Sequence, residues 1–175
     1  TRDGRLAVIH DSSLRRVCGA EGNVEELTAA ELGRFRLEGT EERIPFLEEV
    51  LPIFAGGPPL VVEIKPENGN WAALTAKTAE CLDRFPVRCC VESFDPRSLL
   101  WLKRHRPEIL RGQLTQNYLR RPSGLGFKHR LLLTLLFYNL RTRPDFIACK
   151  FEDRDNASVR LCCRCWGVQG IYWTI

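Results

Sequence analysis

The sequence predicts an α/β fold on a parallel sheet: an incomplete TIM (β/α)8 barrel with about six parallel strands and intervening helices. Three observations predict it. Short apolar runs alternate with helical patterns along nearly the whole chain, and parallel neighbours need such crossovers. The Gly-rich dinucleotide fingerprint is absent, which weakens the rival open doubly wound sheet. A complete barrel takes about 250 residues, so six units in 175 residues make three quarters of one. The chain contains no Met, and Asp3-Gly4 is a turn signal that normally follows a strand. It therefore reads as one internal domain piece, 1–175, of a longer protein, with the other quarter expected before Thr1 and after Ile175.

Each element has its local signal. Leu6 to Ile9 (LAVI) reads as a short buried strand closed by His10-Asp11. Thr28-Ala29-Ala30-Glu31 is a capping box that opens a short helix. Pro45 starts a second helical stretch, which Gly56-Gly57-Pro58-Pro59 ends. Leu60 to Ile64 (LVVEI) is the next strand, and Trp71 to Arg84 fits a helix with an apolar stripe. Val87 to Phe94 is a strand, and Asp95-Pro96 supplies an N-cap and a first-turn proline to the helix after it. Ile109 to Leu114 is a weaker strand, and Leu125 to Leu140 reads as a helix. Asp145 to Lys150 is a strand, Asn156 to Trp166 a helix, and Val168 to Ile175 the last strand.

Composition narrows the partners. With 44% hydrophobic and 27% charged residues, the chain is neither low-complexity nor disordered. The 26 basic and 22 acidic residues are spread along it without the basic stripe of a nucleic-acid binder, so no nucleic acid is expected. Leu131 to Leu140 is about half a membrane span, so no transmembrane segment is expected, and location is left between cytoplasm and membrane. That run is expected to pack on the barrel exterior; the weaker alternative is contact with a membrane surface, its basic neighbours facing anionic lipid. Of eight cysteines, Cys162, Cys163 and Cys165 suggest zinc, but no second Cys pair or spaced His completes a site, and buried reduced thiols are expected.

Reactive groups in α/β barrels sit where strands end. Those positions hold His10 and Asp11, Glu63 and Lys65, Ser93, Gln113, Lys150 and Trp173. His, carboxylate and Lys together suit a phosphate ester better than an amide, and Ser93 has no evident base. His moves protons near neutral pH, Glu can hold a hard cation and Lys a phosphate oxygen. His105 and His129, among arginines and lysines, read as solvated, as do the runs Arg120-Arg121 and Lys128-His129-Arg130.

The same positions carry a resemblance. Residues Asp3 to Arg16 (DGRLAVIHDSSLRR) resemble the "DG-x-hydrophobic-HD-x-x-L-x-R" segment of the glycerophosphodiester phosphodiesterase family. LTAAEL, IPFLEEVL, Glu63-Ile64-Lys65 as the EIK motif, Ser93-Phe94 and Trp173-Thr174-Ile175 follow in the family's order. The resemblance implies a barrel that cleaves glycerophosphodiesters to glycerol 3-phosphate and an alcohol with a divalent cation, Ca²⁺ or Mg²⁺. It implies His10 as the second of two catalytic histidines, Glu63 as one of three metal carboxylates, Lys65 near the phosphate and Trp173 lining the pocket. The family's HRG strand, its E-x-D pair and its last strand are not in this chain. Alone, the chain is therefore expected to be inactive and to self-associate through unpaired barrel edges. Two alternatives stay open: a catalytically dead barrel acting as a binding module, and a phosphodiesterase for a phosphoinositide or sphingolipid headgroup.

Overall fold

The computed structural model describes residues 1–120 and 124–174. Arg121 of the paired arginines and Ile175 of the last strand lie outside the described residues. The chain divides into two units, Thr1–Pro59 with Glu67–Arg88, and Leu60–Pro66 with Cys89–Ile175.

The first unit is short helical turns around a buried cluster of Leu14, Val24, Leu32, Ile44 and Phe46. Helix α1 (Arg15–Cys18) stops at Gly19, whose φ of +62° suits a residue without a Cβ. Helix α2 (Ala29–Leu32) begins with the expected capping box: the Glu31 N–H donates to Thr28 Oγ1, and the Thr28 N–H donates to the Glu31 carboxylate. Helix α3 (Leu47–Val50) runs into a 3₁₀ turn at Leu51–Phe54. Helix α4 (Trp71–Asp83) buries Thr75, Thr78, Ala79, Cys81 and Leu82. The expected strand at Leu6 to Ile9 is corrected here. It makes one antiparallel bridge, Ala7 to Phe46, with the Val8 N–H donating to Pro45 O and the Leu47 N–H to Leu6 O. Its partner is a turn rather than a strand, and Val8 is 40% exposed.

All five described strands belong to the second unit. They are β1 (Leu60–Glu63), β2 (Cys89–Ser93), β3 (Arg111–Thr115), β4 (Phe146–Lys150) and β5 (Gln169–Trp173), parallel throughout and in sequence order across the sheet. The fold is the expected α/β class, a partial barrel, with five strands where about six were expected. Helix α5 (Pro96–His105) starts on Asp95, whose carboxylate accepts from the Arg97 N–H, with Pro96 in the first turn. Helix α8 (Ala157–Trp166) starts on Asn156, which accepts from the Ser158 N–H.

Two boundaries moved for physical reasons. Strand β3 starts at Arg111 rather than Ile109, because the buried Arg111 guanidinium is held by the carbonyls of Thr142 and Arg143 while Leu110 turns outward. The helix expected over Leu125 to Leu140 is two, α6 (Phe127–Thr134) and α7 (Asn139–Thr142). They part at Leu136, φ +55°, where Phe137 N–H reaches back to Leu132 O and Leu136 N–H to Leu133 O. That is a Schellman stop with leucine in the place glycine favours. Burial of the Leu136 side chain against Ile147, Cys149, Val159 and Cys162 offsets the strain.

Side chains alternate between the sheet's faces. One face packs Leu114, Phe146 and Ala148 with Cys90, Phe94 and Trp173; the other carries Ile147 and Cys149 onto α8. The register aligns Glu63 with Glu92, Glu92 with Gly112 and Gly112 with Phe146. Parallel register partners share a face, so Glu63 and Glu92 stand with the Phe146 and Trp173 set.

Candidate active site

Strand β1 ends on Glu63, and Lys65 lies two residues on. The Lys65 ammonium sits 3.4 Å from Glu63 Oε2. The other oxygen, Oε1, is buried and accepts no hydrogen bond among the described residues. Glu92 stands beside it on β2. Burial, then the negative charge of Glu63, push the Glu92 carboxyl up to about 7. Two half-buried carboxylates on neighbouring strands, one with an unsatisfied oxygen, fit a hard divalent cation, which takes oxygen ligands. Among the described residues no group of three His, Cys, Asp or Glu gathers.

Across the same strand ends, the Trp173 indole donates to Ala148 O at 3.2 Å and meets Phe94 edge to face at 6.0 Å. Lys150, the register partner of Trp173, lies 5.9 Å from its ring centre and 3.5 Å from the Glu152 carboxylate. In the first unit, His10 follows the bridge at Ala7. Its Nδ1 meets Asp11 Oδ1, and Asp11 Oδ2 accepts from the Arg16 guanidinium. Arg16 first, then His10, hold the Asp11 carboxyl below the usual carboxylate range. Asp11 thus holds the His10 ring through local bonds.

Residues 1–133 match the model of the glycerophosphoryl diester phosphodiesterase family. The chain belongs to this family. A glycerophosphodiester phosphodiesterase of Bacillus altitudinis is 33% identical over 132 residues, covering 70% of this chain and 54% of that protein. The chain spans about half the length of the curated relatives it matches. An Oleispira antarctica phosphodiesterase, solved with the product sn-glycerol-3-phosphate, superposes with a TM-score of 0.76 at 22% identity, over all of this chain and 69% of that one. A glycerophosphodiester phosphodiesterase of Parabacteroides distasonis gives 0.73 at 15% identity, over all of this chain and 67% of that one. At those identities the structures share the fold.

Against the glycerophosphodiester phosphodiesterase pattern, the structure joins Glu63 to Lys65 and sets Trp173 at a strand end of the same unit. His10 belongs to the other unit. Two positions read from strand ends are corrected. Ser93 and Gln113 point to the helix-covered face: Ser93 Oγ donates to Ile64 O at 2.7 Å, and the Gln113 amide donates to the Ser93 and Leu114 carbonyls. Both are buried structural donors. The residue the sequence reading passed over is Glu92, together with Phe94. Alternation along VESF would have found them, since Ser93 and Glu92 cannot share a face. His105 stacks on Trp101 and bonds its carbonyl, a structural role.

Proposed function

We propose that the chain is the larger part of a phosphodiesterase barrel that hydrolyses glycerophosphodiesters to glycerol 3-phosphate and an alcohol. The observation that carries this reading is the family match over residues 1–133, the stretch that holds His10, Glu63 and Lys65. Trp173 lies beyond that stretch; its place beside Phe94 at a strand end supports a pocket-lining role.

The roles follow from the side chains. With Nδ1 of His10 on Asp11, proton exchange falls to Nε2. One histidine takes a proton from the attacking water as its oxygen bonds to phosphorus, and a second returns a proton to the leaving alkoxide as its bond to phosphorus breaks; His10 fills one of these posts. Lys65 Nζ would donate to a phosphate oxygen. Glu63 and Glu92 would hold the divalent cation, Ca²⁺ or Mg²⁺, which offsets charge on the phosphoryl oxygens when bound. The 175-residue chain alone brings one of the two histidines and too few carboxylates, so it is expected not to turn over.

The test measures glycerol 3-phosphate released from a glycerophosphodiester in the presence of Mg²⁺ or Ca²⁺, by this chain and by a longer protein that contains it. In the longer protein His10→Ala should abolish release and spare cation binding in calorimetry, while Glu63→Gln weakens both. Steady cation-dependent release by the 175-residue chain, lost in His10→Ala, would overturn its inactivity. Full activity of His10→Ala in the longer protein would remove His10 from the reaction.

A further inference from the structure

In the second unit, residues 116–120 follow the end of β3 at Thr115, on the side of the sheet where the strands end, and residues 124–126 lead into α6. Glu63, Lys65 and Trp173 lie on that side too. The base of this segment is tied down. The Asn117 N–H donates to Asp153 Oδ2 at 2.7 Å and the Tyr118 N–H to Thr134 Oγ1 at 3.1 Å, with the Tyr118 ring buried. Asn117 Oδ1 accepts from the Leu119 and Arg120 N–H groups. From α6, the Arg130 guanidinium donates to Tyr118 O at 2.8 Å and Leu119 O at 2.9 Å.

On this base the tips are apolar and cationic. Leu119 is 38% exposed, Leu125 45% and Phe127 67%. Arg120, Lys128 and His129 are exposed among them. No Asp or Glu occurs between Thr115 and Asp145, a stretch that holds Arg120, Lys128, Arg130, Arg141 and Arg143. Helix α6 even opens on cations with no acid in its first turn, which its own dipole disfavours. Exposed apolar groups interspersed with cations, in a stretch of chain without an acid of its own, match one kind of surface: a lipid interface carrying negative headgroups.

We propose that the described residues on either side of α6's entry dock the protein on a bilayer containing anionic lipid, with Leu119, Leu125 and Phe127 entering the interface and Arg120 and Lys128 meeting the headgroups. The strand ends that carry Glu63 and Lys65 then face the membrane. The contact thus falls to residues before Leu131 to Leu140, the run for which membrane contact was the weaker alternative to packing on the barrel exterior. Vesicle binding is read without turnover, so its failure leaves the hydrolytic reading untouched.

The experiment co-sediments the 175-residue chain with vesicles of phosphatidylcholine alone or doped with phosphatidylserine. Binding should require phosphatidylserine and weaken with added salt. Leu125→Ser with Phe127→Ser should lower partitioning about tenfold or more, and Arg120→Glu with Lys128→Glu should abolish the preference for anionic vesicles. Ile53→Ser, at a residue 76% exposed in the other unit, should change nothing. Melting followed by circular dichroism checks that the variants fold; if one pair does not, the other pair decides. Absence of binding to either vesicle, or binding that the folded variants leave unchanged, would overturn the proposal. So would a concentration-dependent dimer that Leu125→Ser with Phe127→Ser dissolves while vesicles are ignored, since a second copy would then own the patch.

Discussion

At the residue scale, the Cys149 thiol shows what burial does to a cysteine of the second unit. It is fully buried on the helix-covered face, with Sγ near the Lys150 and Asp153 carbonyls. Burial, helped by the charge of Asp153, pushes the thiol up to about 11 from an ordinary 9.0. Its ionised form is disfavoured in the folded state and free to form in the unfolded one. The stability associated with the neutral thiol is therefore complete below about 9 and lost as pH rises through about 11. Cys165, by contrast, is exposed. Alkylation at pH 8 followed by peptide mass spectrometry should modify Cys165 first and Cys149 last, because the thiolate is the nucleophile. Raising the pH toward 11 should speed labelling of Cys149 and lower the melting temperature together. Equal labelling rates at pH 8 would show that Cys149 is not shielded as described.

At the scale of the elements, β3 and β4 are fitted to each other at Gly112. A Cβ there would lie 2.1 Å from two ring carbons of Phe146. Gly112→Ala should therefore overpack the sheet and cost about 1–3 kcal/mol in urea unfolding, with Phe146→Leu in the same chain recovering part of the loss. Additive effects of the two changes would contradict the contact. This close approach also marks where the sequence was hard to read. The run ILRGQL carries a glycine and an arginine that strand propensity disfavours, and only the carbonyls around Arg111 explain why the strand begins there. Helix caps such as Thr28, Asp95 and Asn156 were legible because the residue that caps lies beside the helix it caps. Glu63 and Lys65 were legible as charges closing an apolar run. The partnership of Glu92 with Glu63 was not, because it depends on the register between strands far apart in sequence. The break at Leu136 was hidden for a similar reason: leucine there is tolerated only through its tertiary packing.

At the scale of the molecule, the described sheet has two ends, β1 and β5. Leu6 to Ile9, expected to be a strand, stays outside the ladder, so one end of the described sheet falls at β1. On β5, Ile171 is 45% and Tyr172 46% exposed. An open strand with apolar side chains invites pairing with another chain, so the isolated chain is expected to associate with rising concentration in sedimentation velocity. Ile171→Lys should reduce that association, and a monodisperse monomer at micromolar concentration would contradict it. The order of the strands bears on biosynthesis as well. Among the described residues each strand pairs with its neighbours in the sequence. As the polypeptide leaves the ribosome, each described strand after β1 meets a partner that has already been made. A nascent chain of this kind grows its sheet from one side, with only the latest strand uncovered on that side at any moment.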